Sequence, residues 1–218
     1  MITLNQNGFL RYPGTYRELD CYKKSVVLYD MTYWYTKRYL QASDRTYGQM
    51  QQAARSGKQN IVEGLEDYIT SRDTGLHLVN VARGSLQELR ADYNDYLNTR
   101  HLTVWPPNSE RLQRLREFCH SHNDYSDYEP FVNKMSDEEM ANMALTLCHQ
   151  TDKLMCAYIE KLEKQFVTEG GIKERMYAAR TGYRQEQDAR MKALEAENAA
   201  LKQRIAELEQ MLREPRRS

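Results

Sequence analysis

The sequence predicts an all-α fold, an antiparallel up-down four-helix bundle with a C-terminal helical extension ending in a short coiled coil. Three observations lead there. Apolar residues recur at alternating threes and fours over four long stretches, which lines them along one helical face. The 218 residues hold only 10 Gly and 5 Pro, few enough breakers for long helices. Charged residues make up 28% of the chain, as the solvated faces of long amphipathic helices require.

Residues 1–14 read as a leader that closes at Pro13-Gly14. The bundle spans 15–169. Its first helix covers about 16–42, with Leu19, Tyr22, Val26, Tyr29, Tyr33 and Leu40 on one face and Val27, Met31 and Trp34 widening it. Ser43 and Asp44 supply a stop and a new N-cap. The second helix covers about 44–69 and turns Met50, Ala53, Ala54, Gly57, Ile61, Leu65 and Tyr68 to the core. Gly costs about 1 kcal/mol relative to Ala inside a helix. The small residues Ala53, Ala54, Gly57 and Gly64 therefore predict a close helix neighbour that compensates.

Ser71 or Thr74 caps a third helix that runs to about residue 99, with Val79, Ala82, Leu86, Leu89, Tyr93 and Tyr96 as its seam. Residues 100–135 form an inserted loop and short helix: Trp105-Pro106-Pro107-Asn108 breaks the chain, a helix covers about 109–120, and a polar segment covers 123–130. Ser136-Asp137-Glu138-Glu139 is a capping box. It opens a fourth helix that carries Met140, Met143, Leu147, Leu154, Tyr158 and Leu162 to about residue 167, and Gly170-Gly171 ends it. Residues 170–185 read as a suffix helix or linker, 186–213 as a coiled coil and 214–218 as a basic tail. Sixteen Tyr against four Phe predict a core whose aromatic edges reach polar partners.

In the coiled coil, Met191, Asn198, Ile205 and Leu212 at position a place Leu194, Leu201 and Leu208 at position d. Parallel partners then face each other through Arg190–Glu195, Glu197–Lys202 and Arg204–Glu209, all opposite in sign. A lone Asn at a with Leu at d favours two parallel strands. The expectation is self-association into a homo-oligomer.

The formal net charge is +0, which excludes a chain that coats nucleic acid or membrane by bulk charge. No stretch approaches 18 apolar residues, so no membrane span is expected. The opening residues show neither the basic nor the apolar region of a signal peptide. Cys21, Cys119, Cys148 and Cys156 form no paired framework, so reduced thiols and a cytoplasmic location are expected.

Motifs for chemistry fail on spacing. Ser56-Gly57-Lys58 lacks the earlier Gly of a phosphate loop, since Gln52 stands there, and Lys58 precedes Gln59 instead of Ser or Thr. Cys119-His120-Ser121-His122 and Cys148-His149 lack the paired ligand spacing of zinc sites. No Glu-x-x-His recurs on two helices as a di-iron bundle needs. No cofactor, metal or catalytic residue is expected, and the remaining enzymatic possibility is a Cys–His nucleophile near Cys119 or Cys148.

The charge is unevenly spread, with nine Lys/Arg against four Asp/Glu between Arg11 and Lys58. Lys23, Lys24, Lys37 and Arg38 fall on the first helix, and Arg45, Arg55 and Lys58 on the second, interleaved with Tyr35 and Tyr39. Cations with nearby aromatics hold nucleic acids without sequence preference. These seven residues are the candidate contacts for RNA or DNA.

Two runs carry a family likeness. Gln51-Gln52-Ala53-Ala54-Arg55-Ser56-Gly57-Lys58-Gln59-Asn60-Ile61-Val62-Glu63-Gly64 and Val81-Ala82-Arg83-Gly84-Ser85-Leu86-Gln87-Glu88-Leu89 resemble the bacterial "four helix bundle protein" family encoded by intervening sequences in 23S ribosomal RNA genes. Cys148-His149-Gln150-Thr151-Asp152, Lys161-Leu162-Glu163-Lys164-Gln165-Phe166 and Glu169-Gly170-Gly171-Ile172-Lys173-Glu174-Arg175-Met176 resemble its suffix-domain subgroup. The likeness covers about residues 15–185.

It implies an up-down bundle whose relatives form five-fold rings. It also implies kinship with the accessory variability protein of diversity-generating retroelements, a basic pentamer that binds nucleic acid and a reverse transcriptase. This chain departs from that relative in being neutral and in its appended coiled coil. A two-stranded zipper does not match a five-fold ring. Either it joins two rings, or it forms a five-stranded coil, or the ring is absent. The expected function is a non-enzymatic oligomeric scaffold or adaptor. The alternative is a nucleic-acid-binding accessory protein for a reverse transcriptase or another RNA-handling enzyme.

Overall fold

The computed structural model describes residues 15–213. The leader over 1–14 and the tail over 214–218 lie outside the described residues. Among the described residues every regular element is helical. A 3-10 turn, Tyr16–Glu18, precedes α1 (Asp20–Tyr39), α2 (Arg45–Asp67), α3 (Arg72–Thr99), α4 (Glu110–Ser121), α5 (Tyr125–Val132), α6 (Asp137–Glu169) and α7 (Ile172–Arg213). The chain divides into two units at the boundary between Ile172 and Lys173.

Helix starts follow side-chain chemistry. The Asp44, Ser71 and Ser109 side chains accept hydrogen bonds from the amides of Thr46, Thr74 and Leu112. At α6, Ser136 Oγ accepts from the Glu139 amide and the Glu139 carboxylate accepts from the Ser136 amide, the reciprocal arrangement the sequence predicted. α6 ends at Gly170, whose φ of 68° with ψ of 179° is open to glycine and costly for other residues.

The 3-10 turn, α1, α2, α3 and α6 share the core of the first unit. α1 packs on α2, α2 on α3, α3 on α6 and α6 on α1. Cross-helix pairs run in opposite directions. Between α1 and α2, Gln51 Nε2 donates to Thr36 Oγ1 at 2.8 Å and the Lys58 ammonium sits 3.8 Å from the Tyr29 ring centre. Between α3 and α6, Arg72 meets Glu169 at 2.6 Å, Arg83 meets Asp152 at 2.6 Å and Tyr96 donates to Asp137 at 3.0 Å.

α2 and α3 lie closest. A Cβ built on Gly64 would stand 2.9 Å from the Gly75 carbonyl oxygen, and one on Gly75 would stand 2.5 Å from Tyr68 Cα. Gly57 faces Leu86 in the same way. The close neighbour predicted from the small residues of α2 is therefore α3.

The core face of α1 is turned by about one residue from the predicted stripe. Cys21, Val27, Leu28, Met31 and Tyr35 are buried, while Tyr22, Val26, Tyr29 and Tyr33 lie half-buried at its edge and Trp34 is 48% exposed. The reason is polar. The buried face also carries Ser25, Thr32 and Thr36, whose hydroxyls bond to the Tyr22 carbonyl, Tyr93 Oη and the Tyr33 carbonyl. Hydrophobicity alone discounts such residues, although paired hydroxyls are tolerated inside.

Tyrosine edges do reach polar partners. Tyr68 Oη donates to the Leu162 carbonyl at 2.7 Å, Tyr39 Oη to the Met135 carbonyl at 2.6 Å and Tyr128 Oη to the His122 carbonyl at 2.8 Å. Tyr35 packs edge-on against Tyr93 and Tyr96.

The insert over 100–135 is pinned to its surroundings from both sides. Trp105 donates its amide to Asn142 Oδ1 and its indole N–H to Glu138, and Asn142 Nδ2 returns a bond to the Thr103 carbonyl. α1 holds the far end, with Lys24 Nζ donating to the Cys119 and His122 carbonyls and Arg38 to the Val132 carbonyl. Within the segment 123–130, read only as polar, a helix begins at Tyr125. Asp124 and Asp127 form a capping box, and Tyr128 and Val132 bury one side. Pro130 removes one main-chain donor, and the helix ends two residues later at Val132.

The second unit is helical, and α7 continues without a break through residues 185 and 186. The division into suffix helix and coiled coil is thus a change of pattern along one helix. No described helix is long and apolar enough to cross a membrane.

Candidate functional site

The clearest unpartnered feature is the stripe on α7. Met191, Leu194, Leu201, Ile205 and Leu208 are 45–60% exposed, and Asn198 is exposed among them. The side chain of Leu212 lies outside the described residues. On a helix of 3.6 residues per turn, alternating steps of three and four keep these side chains on one line. Apolar side chains left in water at that spacing gain free energy by burial, about 25 cal/mol per Å² of apolar surface removed. Arg190, Glu195, Glu197, Lys202, Arg204 and Glu209 flank the stripe, all exposed. Within the helix, Arg204 is 2.9 Å from Glu207, three residues along. An exposed pair of that kind is worth a few tenths of a kcal/mol, so Arg204 can exchange Glu207 for Glu209 of a neighbour at little cost.

The basic residues of α1 and α2 do not form one face. Lys24 is buried, with its ammonium on the Cys119 and His122 carbonyls at the C-terminal end of α4. Desolvation lowers its pKa, partly opposed by Cys119 and Asp20. It serves as a helix-end cation and is out of reach of a nucleic acid. Arg38 is exposed but spends two donors on the Val132 carbonyl and Asn133 Oδ1, at 2.8 and 3.3 Å. Lys58 rests on the Tyr29 ring.

Arg45 shares a groove with Glu88 and Asp92, which offsets its charge. Lys37 is exposed, 4.4 Å from the Tyr33 ring centre and 5.9 Å from that of Trp34. Arg55 is exposed and Lys23 half-buried. From Lys23 to Lys37 the helix rises roughly 20 Å, so these cations are spread out. Tyr35 is fully buried and Tyr39 half-buried, which takes Tyr35 out of any base-stacking role.

Ser56-Gly57-Lys58 lies inside α2 with Gly57 against Leu86. Among the described residues no cluster of three His, Cys, Asp or Glu side chains is placed to share a metal ion. Cys119 and Cys148 point into the core. Burial pushes both thiols up to about 12 and Cys21 up to about 11. A nucleophilic cysteine needs the opposite shift.

One consequence is measurable. Below pH 9 these thiols are neutral in both folded and unfolded chains; above it only the unfolded chain releases their protons, so stability falls as pH rises from 9 toward 12. The midpoint of denaturant unfolding, measured under reducing conditions, should be lower at pH 10.5 than at pH 8. A disulfide-exchange reagent at pH 8 should titrate the half-buried Cys156 first, and Cys21, Cys119 and Cys148 only on unfolding.

The histidines beside the two buried cysteines behave differently. His120 of α4 and His149 of α6 line one groove, although they are far apart in sequence. Arg90, Arg116 and Lys153 gather around His149, and none of the three was singled out from the sequence. Each is an ordinary surface cation within its own helix; only the packing of α3, α4 and α6 brings them together.

Comparison with protein-family models, with curated proteins and with solved structures found no match to the chain.

Proposed function

We propose that the chain is a non-enzymatic oligomeric scaffold, a four-helix up-and-down bundle of α1, α2, α3 and α6 whose C-terminal helix pairs with a second copy of itself. The observation that carries this reading is the exposed stripe of Met191, Leu194, Leu201, Ile205 and Leu208. A second copy is the occupant that matches both the stripe and its borders. In parallel register each Arg or Lys beside it meets a Glu of the partner, and Asn198 meets its own equivalent. Opposite cross-helix directions in the first unit support the up-and-down order. The resemblance of the α2, α3 and α6 segments to the four helix bundle family agrees with it.

Nucleic-acid binding beside a reverse transcriptase is the second reading. It rests on exposed Lys37, Arg45 and Arg55 with exposed Trp34, after Lys24 and Arg38 are engaged elsewhere.

The test is mass in solution at tens of micromolar. The full chain should sediment as a multiple of 25.8 kDa, and Leu194→Asp with Leu201→Asp should reduce that multiple without loss of helicity in the first unit. Both positions are more than half exposed, so the substitutions leave the core untouched. A wild-type chain that sediments as a single copy overturns the reading.

A further inference from the structure

We propose that the groove between α3, α4 and α6 binds a small organic anion, a phosphate or carboxylate. The groove is open to solvent and offers about 770 Å³, within the volume range of small-molecule sites. Its apolar wall is built from Leu112, Leu145 and the partly exposed Val104. Its polar side is cationic.

His149 faces Arg90 from α3, Arg116 from α4, and Asp152 and Lys153 from its own helix. Arg90 Nη1 lies 3.5 Å from His149 Nδ1. Glu117 and His120 of α4 line the same space. Asp152 is already engaged by Arg83 Nε at 2.6 Å and by Gln87 Nε2 at 3.2 Å. Of these cations Arg116 and Lys153 line the groove itself, beside Glu117. Desolvation and the three cations beside it hold His149 below its usual pKa. Cations at the groove attract an anion.

Gln150 lines the groove and donates through Nε2 to the Arg116 carbonyl at 2.9 Å, which fixes its amide. Its Oε1 is buried and accepts no hydrogen bond among the described residues. Arg116 is held in place by its Nη1 bond to the Pro107 carbonyl at 3.1 Å, leaving further guanidinium donors for an oxyanion.

Binding should take up a proton. An anion opposes the field of Arg90, Arg116 and Lys153, so the His149 pKa rises on binding. The experiment is titration calorimetry on the full chain with ribose 5-phosphate and, separately, citrate, which distinguishes a phosphate from a carboxylate source. At least one should bind, and Arg116→Ala with Lys153→Ala should weaken it tenfold or more. Those side chains are exposed, so circular dichroism and the melting temperature should not change. Gln150→Glu should weaken binding as well, by repelling the anion. Absence of binding by both probes, binding that the double variant leaves intact, or displacement of the probes by a short single-stranded RNA that alone binds tightly would each overturn the assignment.

Discussion

Tyr93→Ala should lower the free energy of unfolding by about 3–5 kcal/mol, the range for removing a large buried aromatic. Tyr93 has no exposed surface, packs edge-on against Tyr35 and shares a hydrogen bond of 2.9 Å with Thr32 Oγ1. Alanine leaves a cavity where α1, α3 and α6 meet and strips Thr32 of that partner. Tyr93→Phe keeps the ring and removes only the hydroxyl. Its cost should be about 1–2 kcal/mol, a lost hydrogen bond plus the buried Thr32 hydroxyl left behind. Denaturant unfolding of the three chains checks both figures. A Phe variant as unstable as the Ala variant would mean that the hydroxyl, and not the ring, holds this junction.

The second large effect belongs to Gly75. Valine there should destabilise the fold by about 3 kcal/mol, at the upper end for overpacking. The added atoms would meet Tyr68 Cα and the Gly64 carbonyl oxygen at 2.5 and 2.6 Å. Both are main-chain atoms, so relief requires α2 and α3 to separate. Gly57→Ala should cost less, because its closest neighbours are atoms of the Leu86 side chain and not main chain, although Leu86 is itself buried. Gly84 has nothing within 4 Å, so Gly84→Ala should stabilise the helix by about 0.5–1 kcal/mol. Melting temperatures of the three variants should fall in that order, Gly84→Ala highest and Gly75→Val lowest.

These contrasts mark where the sequence could be read and where it could not. Gly57 and Gly64 sit on an apolar stripe with Ala53 and Ala54, so a close neighbour was legible from spacing alone. Every predicted core residue of α2 and of the α3 seam is buried. Gly75 gave no such signal, because it lies in the first turn of α3, before the seam starts. α1 was misread by about one residue because its buried face is rich in hydroxyls, those of Ser25 and Thr36 bonded to carbonyls of their own helix and that of Thr32 to Tyr93. Lys24 illustrates the same difficulty. A lysine reads as a surface cation until the carbonyls of Cys119 and His122 are brought to it across 95 and 98 positions of chain. The α7 stripe was legible because heptad spacing is a property of one helix. The groove at His149 was not, since its cations come from three helices and none stands out within its own.

The fastening of the insert has a consequence for how this chain tolerates change. α1 grips it through Lys24, Arg38 and Tyr39, and the groups gripped, apart from Asn133 Oδ1, are main-chain oxygens of Cys119, His122, Val132 and Met135. Every amino acid carries that oxygen, so the receiving side is indifferent to which residue occupies it. The giving side is not: only a long donor on α1 spans the gap. Mutational drift is therefore cheap at one end of each clasp and expensive at the other, and the region 100–135 can vary its outward chemistry while its attachment is specified from α1.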